Sequence, residues 1–178
     1  MIKGAGVTWP REMDWVGVDD HRHQAVVSTR NADARLAAFE YLDGLARAGM
    51  RIERHSTSVQ KLTQVHDANS FDFVYAGNFA SDVNNSVDDR VDALMHGKNF
   101  LKKGGLMLLI HSHDGGPEHA KSVLEQIKGL KRLNTAEARR ELDKHPILGH
   151  IIAALGKAME GTFKPPTLQN KKVVLLRK

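Results

Sequence analysis

The chain has no cysteine, which excludes disulfide frameworks and thiolate metal sites. It also has no apolar run approaching the ~20 residues that cross a bilayer. The first ten residues, MIKGAGVTWP, lack the apolar segment of a signal peptide. We therefore expect a cytoplasmic protein with no membrane segment.

Length and composition favour one folded domain over residues 1–178, because 41% apolar and 26% charged residues are ordinary globular usage. The net charge of +5 favours an anionic partner such as a nucleotide or a phosphate. Nucleic acid is a less favoured partner, because acidic residues interleave with the basic ones at helical spacing. The basic set is Lys128, Lys131, Arg132, Arg139, Arg140 and Lys144, and the acidic set is Glu137, Glu141 and Asp143.

Short apolar runs alternate with helical periods along the chain. Residues 15–18 (WVGV), 71–77 (FDFVYAG) and 106–110 (LMLLI) read as buried strands, and 50–54 as a weaker one. Residues 172–176 form a last strand. The alternation predicts an α/β fold with a mostly parallel sheet and helices on both faces.

Helices are predicted between these strands. An apolar stripe spans residues 32–48, and another follows Ser86, which can cap a helix together with Asp89. The second helix is expected to end at the glycine pair 104–105, which would let the chain turn tightly into the next strand. A polar helix is predicted over 134–144, and an apolar one begins at Pro146.

Two groups of polar residues follow predicted strands. Asp19 ends the strand VGVDD, where a carboxylate can accept hydrogen bonds from ribose hydroxyls; the alternative is a plain surface aspartate. The loop HSHDGG offers His111, His113 and Asp114 as metal ligands, and His21 with His23 form a second pair. The alternative is a polar loop in which His111 or His113 lines a substrate pocket, and this metal-free reading is preferred.

Five segments in order resemble the class I S-adenosylmethionine-dependent methyltransferases: VGVDD, RIERHSTSVQKL, FDFVYAGNF, NFLKKGGLMLLI and KKVVLLRK. The resemblance implies a Rossmann-like sheet of the methyltransferase type with an antiparallel last strand. It also implies S-adenosylmethionine as cofactor, held by Gly4, Gly6, Asp19, Ser58, Val59, Gly77 and Asn78. Only Met1-Ile2-Lys3 precede the GAG segment, so the family's first strand is missing or shortened.

The implied reaction is methyl transfer to an unidentified O, N or C acceptor, with His111 or His113 as an optional general base. One alternative is a catalytically inactive binding or assembly module, favoured by the truncated first motif. A second alternative is a His/Asp metal-dependent hydrolase. The sequence is also compatible with a homo-oligomer, because a second chain could pair with the strand edge that a missing first strand leaves.

Overall fold

A computed structural model describes residues 15–18, 52–55, 59–77, 79–111, 113–146, 148–149, 151–153 and 164–178. The chain divides into two compact units, Met1–Leu62 and Thr63–Lys178, and each is described by itself. A single domain over residues 1–178 stays a prediction. The part of the chain that the structure describes contains no helix long and apolar enough to cross a membrane.

The first unit contains two short parallel strands, β1 (Trp15–Val18) and β2 (Ile52–His55). They pair from Trp15 opposite Ile52 to Val18 opposite His55. Strand β1 has the predicted bounds, and β2 overlaps the weaker strand predicted over 50–54. The helix predicted over 32–48 lies outside the described residues. A 3-10 helix, Val59–Gln64, begins at the end of this unit.

The second unit alternates strands and helices. Strand β3 (Phe71–Gly77) leads through a 3-10 turn (Phe79–Ser81) to helix α1 (Val87–Phe100) and strand β4 (Leu101–Ile110). The remaining elements, in order, are α2 (Gly116–His119), α3 (Lys121–Gln126), β5 (Lys131–Arg132), α4 (Thr135–Lys144) and β6 (Val173–Arg177). Helical residues also follow Pro146. The predicted polar helix and the last strand are confirmed.

Local sequence accounts for both long helices. The Ser86 hydroxyl accepts a hydrogen bond from the Asp89 N–H at 3.1 Å and so caps α1. Asn134 and Glu137 form a reciprocal capping box at the start of α4. Each cap satisfies backbone N–H groups that the first helical turn leaves without partners.

The four strands of the second unit have the order β3-β4-β6-β5. Strands β3 and β4 are parallel, and Gly77 lies opposite Ile110 at their carboxyl ends. Strand β6 is antiparallel to both β4 and β5, as the methyltransferase resemblance implies for the last strand. Strand β4 lies inside the sheet, and its residues from Gly105 to Ile110 are all buried.

Helices cover both faces of this sheet. On one face, Met107 and Leu109 of β4 belong to a buried cluster that includes Leu94 of α1 and Val123 of α3. On the other face, Arg177 forms an ion pair with Glu141 of α4 at 2.8 Å. The Phe73 ring on this second face contacts the His145 ring, just beyond α4, at 5.0 Å between centroids. The α/β class with helices on both faces is confirmed.

The glycine pair does not end the helix, as the sequence suggested. Helix α1 stops at Phe100, and Leu101 is already extended, with φ −67° and ψ 134°. Leu101 is fully buried, so its packing draws the chain into the strand at once. Gly104, with φ +82°, lies instead in the register shift between the pairs Phe71–Leu101 and Phe73–Leu106. The glycine there supplies a left-handed conformation that other residues rarely adopt.

Candidate functional site

The candidate site lies at the carboxyl edge of the sheet in the second unit, where β3 and β4 end side by side. Gly77 pairs with Ile110, so the 3-10 turn Phe79–Ser81 and the loop that begins at His111 leave the sheet at the same level. Ligands of open parallel sheets bind outside such strand ends. Three residues predicted from the sequence, Gly77, His111 and His113, come from these two strand ends.

Gly77 is exposed at the end of β3, and the side chain of Tyr75 lies against it. A Cβ added to Gly77 would collide with the Tyr75 hydroxyl. Burial raises the pKa of Tyr75 to about 12, although the residue as a whole remains 37% exposed. The phenol therefore stays protonated at neutral pH, and it offers a hydrogen-bond donor beside an uncovered backbone.

His111 is turned into the protein, with none of its surface exposed. Its N–H donates to the Lys172 carbonyl at 2.8 Å, which extends the β4–β6 ladder by one residue. Neither ring nitrogen has a hydrogen-bond partner within the described residues. Burial, with contributions from His113 and Arg132, lowers the pKa of His111 to about 4. The imidazole is therefore neutral at physiological pH.

His113 is only half-buried, and its ring lies beside that of His119, with 5.3 Å between centroids. Sequence reasoning did not find His119, because no motif marks its spacing from His113. The backbone between the two is fixed: Gly116 N–H donates to the His113 carbonyl, and His119 N–H donates to the Gly115 carbonyl, both at 3.1 Å. This turn leads into α2, and it brings the two rings together.

Asp114 forms an ion pair with Lys172, the residue that precedes β6. The Lys172 ammonium lies 2.6 Å from the Asp114 carboxylate and donates to the Lys164 carbonyl at 2.8 Å. The Lys172 side chain is buried, while Asp114 is exposed. The hydrogen bond from Lys172 lowers the pKa of Asp114. The carboxylate proposed as a metal ligand is thus already paired with a cation.

Arg90 supports the site from α1. The residue is buried, and its guanidinium donates to the carbonyls of Ala80 at 2.8 Å, His119 at 3.2 Å and Ser86 at 3.3 Å. These carbonyls belong to the 3-10 turn after β3, the end of α2 and the cap of α1. One side chain therefore fixes the two loops that leave the carboxyl edge.

Six further residues were predicted to hold the cofactor. Gly4, Gly6, Asp19, Ser58 and Asn78 lie outside the described residues. Val59 is described within the first unit, at the start of a 3-10 helix, where it is half-buried. Their roles stay predictions, as do those of His111 and His113 in catalysis.

The described residues also bear on the metal-hydrolase alternative. Among them, no three His, Asp or Glu side chains are grouped so that they could hold a metal ion. Within HSHDGG, the His111 ring is buried and Asp114 is paired with Lys172, so this loop does not present the ligand set that its sequence suggested. His21 and His23 lie outside the described residues.

Comparison with known proteins gives likenesses of structure alone. No protein-family model matches the chain, and no curated protein matches its sequence. One similar solved structure is the [4+2]-cyclase SpnF, with 16% identity and a TM-score of 0.44. The alignment covers 93% of this chain and 66% of the cyclase, so the chain spans just under two thirds of that protein.

Two further similar structures are described as methyltransferases. A protein described as a sarcosine dimethylglycine methyltransferase, from Galdieria sulphuraria, has 14% identity and a TM-score of 0.39, with 94% of this chain and 78% of that one covered. A protein described as an S-adenosylmethionine-dependent methyltransferase, from Thermotoga maritima, has 14% identity and a TM-score of 0.38, with 92% and 80% covered. At this level of similarity, neither identifies the family, the reaction or the site residues of this chain.

Proposed function

We propose that the protein binds S-adenosylmethionine and transfers its methyl group to a nucleophilic O, N or C atom of a small acceptor. The observation that carries the proposal is the parallel β3–α1–β4 crossover, whose first strand ends in the exposed Gly77 at the carboxyl edge. The antiparallel β6 beside β4 is the arrangement implied by the five segments that resemble class I methyltransferases.

Gly77 fits the approach of a cofactor to the end of β3. It has no side chain and it is exposed, and the nearest atoms to the position of a Cβ there belong to the Tyr75 ring. Bound S-adenosylmethionine would supply an electrophilic methyl group. In this proposal Gly77 and Asn78 contact that cofactor, Asp19 binds its ribose, and Ser58 and Val59 flank its adenine. Gly4 and Gly6 approach its methionine part.

Residues at the carboxyl edge supply the candidate general base and a hydrogen-bond donor. Methyl transfer needs little beyond positioning of the two reactants, so a general base is optional. His111 is the weaker of the two predicted bases, because its ring is buried and its pKa is lowered to about 4. His113 is partly accessible at the same edge, and we assign the base role to it. Tyr75, which stays protonated, would donate a hydrogen bond beside Gly77.

The first test is calorimetry with S-adenosylhomocysteine and S-adenosylmethionine. We expect the wild type to bind both, and Gly77→Val to bind at least tenfold more weakly, because the new side chain displaces Tyr75 and covers the strand end. Gly149→Ala is the matched control, since a Cβ added there meets no atom within 4 Å. Asp19→Ala should weaken binding by roughly 2–3 kcal/mol through loss of a charged acceptor.

Absence of binding at millimolar ligand would remove the methyltransferase proposal. Equal affinities of the wild type and Gly77→Val would show that the end of β3 is not part of the binding site. To separate an enzyme from an inactive binding module, the protein is incubated with methyl-labelled cofactor and a small-molecule cell extract. Transfer of label by the wild type, slowed in His113→Ala with cofactor binding intact, is the expected result. Binding without any transfer of label would favour the binding module.

A further inference from the structure

The rings of His113 and His119 face a common space above Gly115. A Cβ added to Gly115 would lie 3.6 Å from His119 Nε2 and 3.7 Å from His113 Nδ1. One nitrogen of each imidazole therefore lies within 3.7 Å of the position that a side chain at residue 115 would fill, and the glycine leaves that position unfilled. The ring centroids are 5.3 Å apart and the rings are tilted by 42°.

This separation suits two imidazoles that share one metal ion. With Zn–N bonds of about 2.0–2.1 Å, two rings bound at a tetrahedral angle have centroids about 5 Å apart. The observed centroid distance agrees with that value. Imidazole nitrogen is a preferred ligand of Zn²⁺, Cu²⁺ and Ni²⁺, whereas Mg²⁺ and Ca²⁺ prefer oxygen.

The polypeptide holds both histidines in place. The His113 carbonyl accepts from Gly116 N–H, and the His119 carbonyl accepts from the buried Arg90 guanidinium. Asp114, between them in the chain, is fixed by the Lys172 ammonium. Contacts of this kind restrict both histidines before an ion binds, so less conformational entropy is lost on binding.

We propose that His113 and His119 form a two-imidazole site for a divalent transition-metal ion, with water completing the coordination. The site differs from the one that the HSHDGG motif suggested, because His111 and Asp114 take no part in it. Two protein ligands are fewer than a structural zinc site uses, so the ion is exchangeable and its open positions are accessible to solvent. The proposal does not depend on methyltransferase activity, and an ion bound to His113 would prevent that ring from acting as a general base.

The test uses untagged full-length protein and Zn²⁺ in calorimetry. We expect one ion per chain at this site, with at least tenfold weaker binding in His113→Ala and in His119→Ala. Gly115→Ala keeps both imidazoles but places a methyl group 3.3 Å from His119 Cε1, so it should also bind more weakly. Gly115 has φ −77° and ψ −7°, which alanine adopts without strain. Melting temperatures of all variants check that each is folded.

A variant lacking His21 and His23 is the matched control, because it removes another histidine pair and should bind Zn²⁺ as the wild type does. Electron paramagnetic resonance of bound Cu²⁺ gives a second measurement: nitrogen coupling from two imidazoles in the wild type and from one in either single variant. Unchanged Zn²⁺ affinity in His113→Ala and His119→Ala would overturn the proposal. Loss of binding in the His21/His23 variant alone would also overturn it.

Discussion

The ammonium of Lys172 lies 2.6 Å from the carboxylate of Asp114, and this ion pair joins the loop after β4 to the residue before β6. The two residues are far apart in sequence, but the antiparallel pairing of β4 with β6 brings them together, since the Lys172 carbonyl accepts from His111 N–H. The buried ammonium also bonds to the Lys164 carbonyl. It therefore anchors two loops to one strand end.

Asp114→Asn should lower the melting temperature at pH 7, because a buried ammonium loses its charged partner. The lowered pKa of Asp114 means that the pair contributes fully above the unfolded-state pKa and is lost as the pH falls through the folded-state pKa. The difference between variant and wild type should therefore shrink in acid. Glu118→Gln, an exposed acid nearby on α2, is the control and should melt like the wild type. Equal melting temperatures for Asp114→Asn and wild type would show that the pair adds nothing to stability.

His111 should make the protein less stable between pH 6.5 and about 4. Its folded-state pKa is lowered from 6.5 to about 4, so below pH 6.5 the unfolded chain binds a proton that the folded protein does not. In His111→Leu this difference in proton binding is absent. When the pH is lowered from 6.5 to 5, the free energy of unfolding should therefore fall by about 2 kcal/mol less in the variant than in the wild type. Denaturant unfolding at several pH values measures the difference.

At pH 7, His111→Leu should be as stable as the wild type or more so, since the imidazole nitrogens lack partners within the described residues and leucine removes two buried polar atoms. Parallel pH profiles for the two proteins would contradict this account, because they would place His111 in contact with water or a hydrogen-bond partner in solution.

Arg90→Met should destabilise the protein by about 2–4 kcal/mol, because the carbonyls that now accept from the guanidinium lose their partner. Loss of the hydrogen bond to the Ala80 carbonyl should account for the largest part of this free energy, since that residue is buried. Arg139→Met, an exposed arginine of α4, is the control and should change stability by less than about 0.5 kcal/mol. Urea unfolding measures both, and similar values for the two variants would refute the role of Arg90.

Lys178→Met should destabilise the protein by about 1 kcal/mol, because the carbonyls at the end of helix α1 lose a charged hydrogen-bond donor. The Lys178 ammonium donates to the carbonyl of Leu101 at 2.7 Å and to that of Lys98 at 3.1 Å. It also bonds to the Asn69 side chain at 2.8 Å. Lys103→Met is the control, because Lys103 is exposed in the same region. Hydrogen exchange in the last turn of α1 should accelerate in Lys178→Met and stay unchanged in Lys103→Met.

Much of the second unit's fold could be predicted from local pattern. Phe71–Gly77 is a strand with the predicted bounds, and Thr135–Lys144 is a helix within the predicted range 134–144. Local preference determines these elements because aromatic and β-branched runs favour strands and capping residues begin helices. The prediction for Gly104 was wrong because burial of Leu101 ended α1 before the glycines were reached.

The site was less predictable, because its geometry depends on residues that are distant in the chain. The sequence by itself determined that Gly77 ends one strand and that HSHDGG follows another. Only the tertiary structure decided that His111 points inward, that Lys172 takes Asp114, and that His119 joins His113. Side-chain burial and long-range pairing set these three outcomes. Periodicity and motif spacing record which element a residue belongs to, but not which distant residue packs against it.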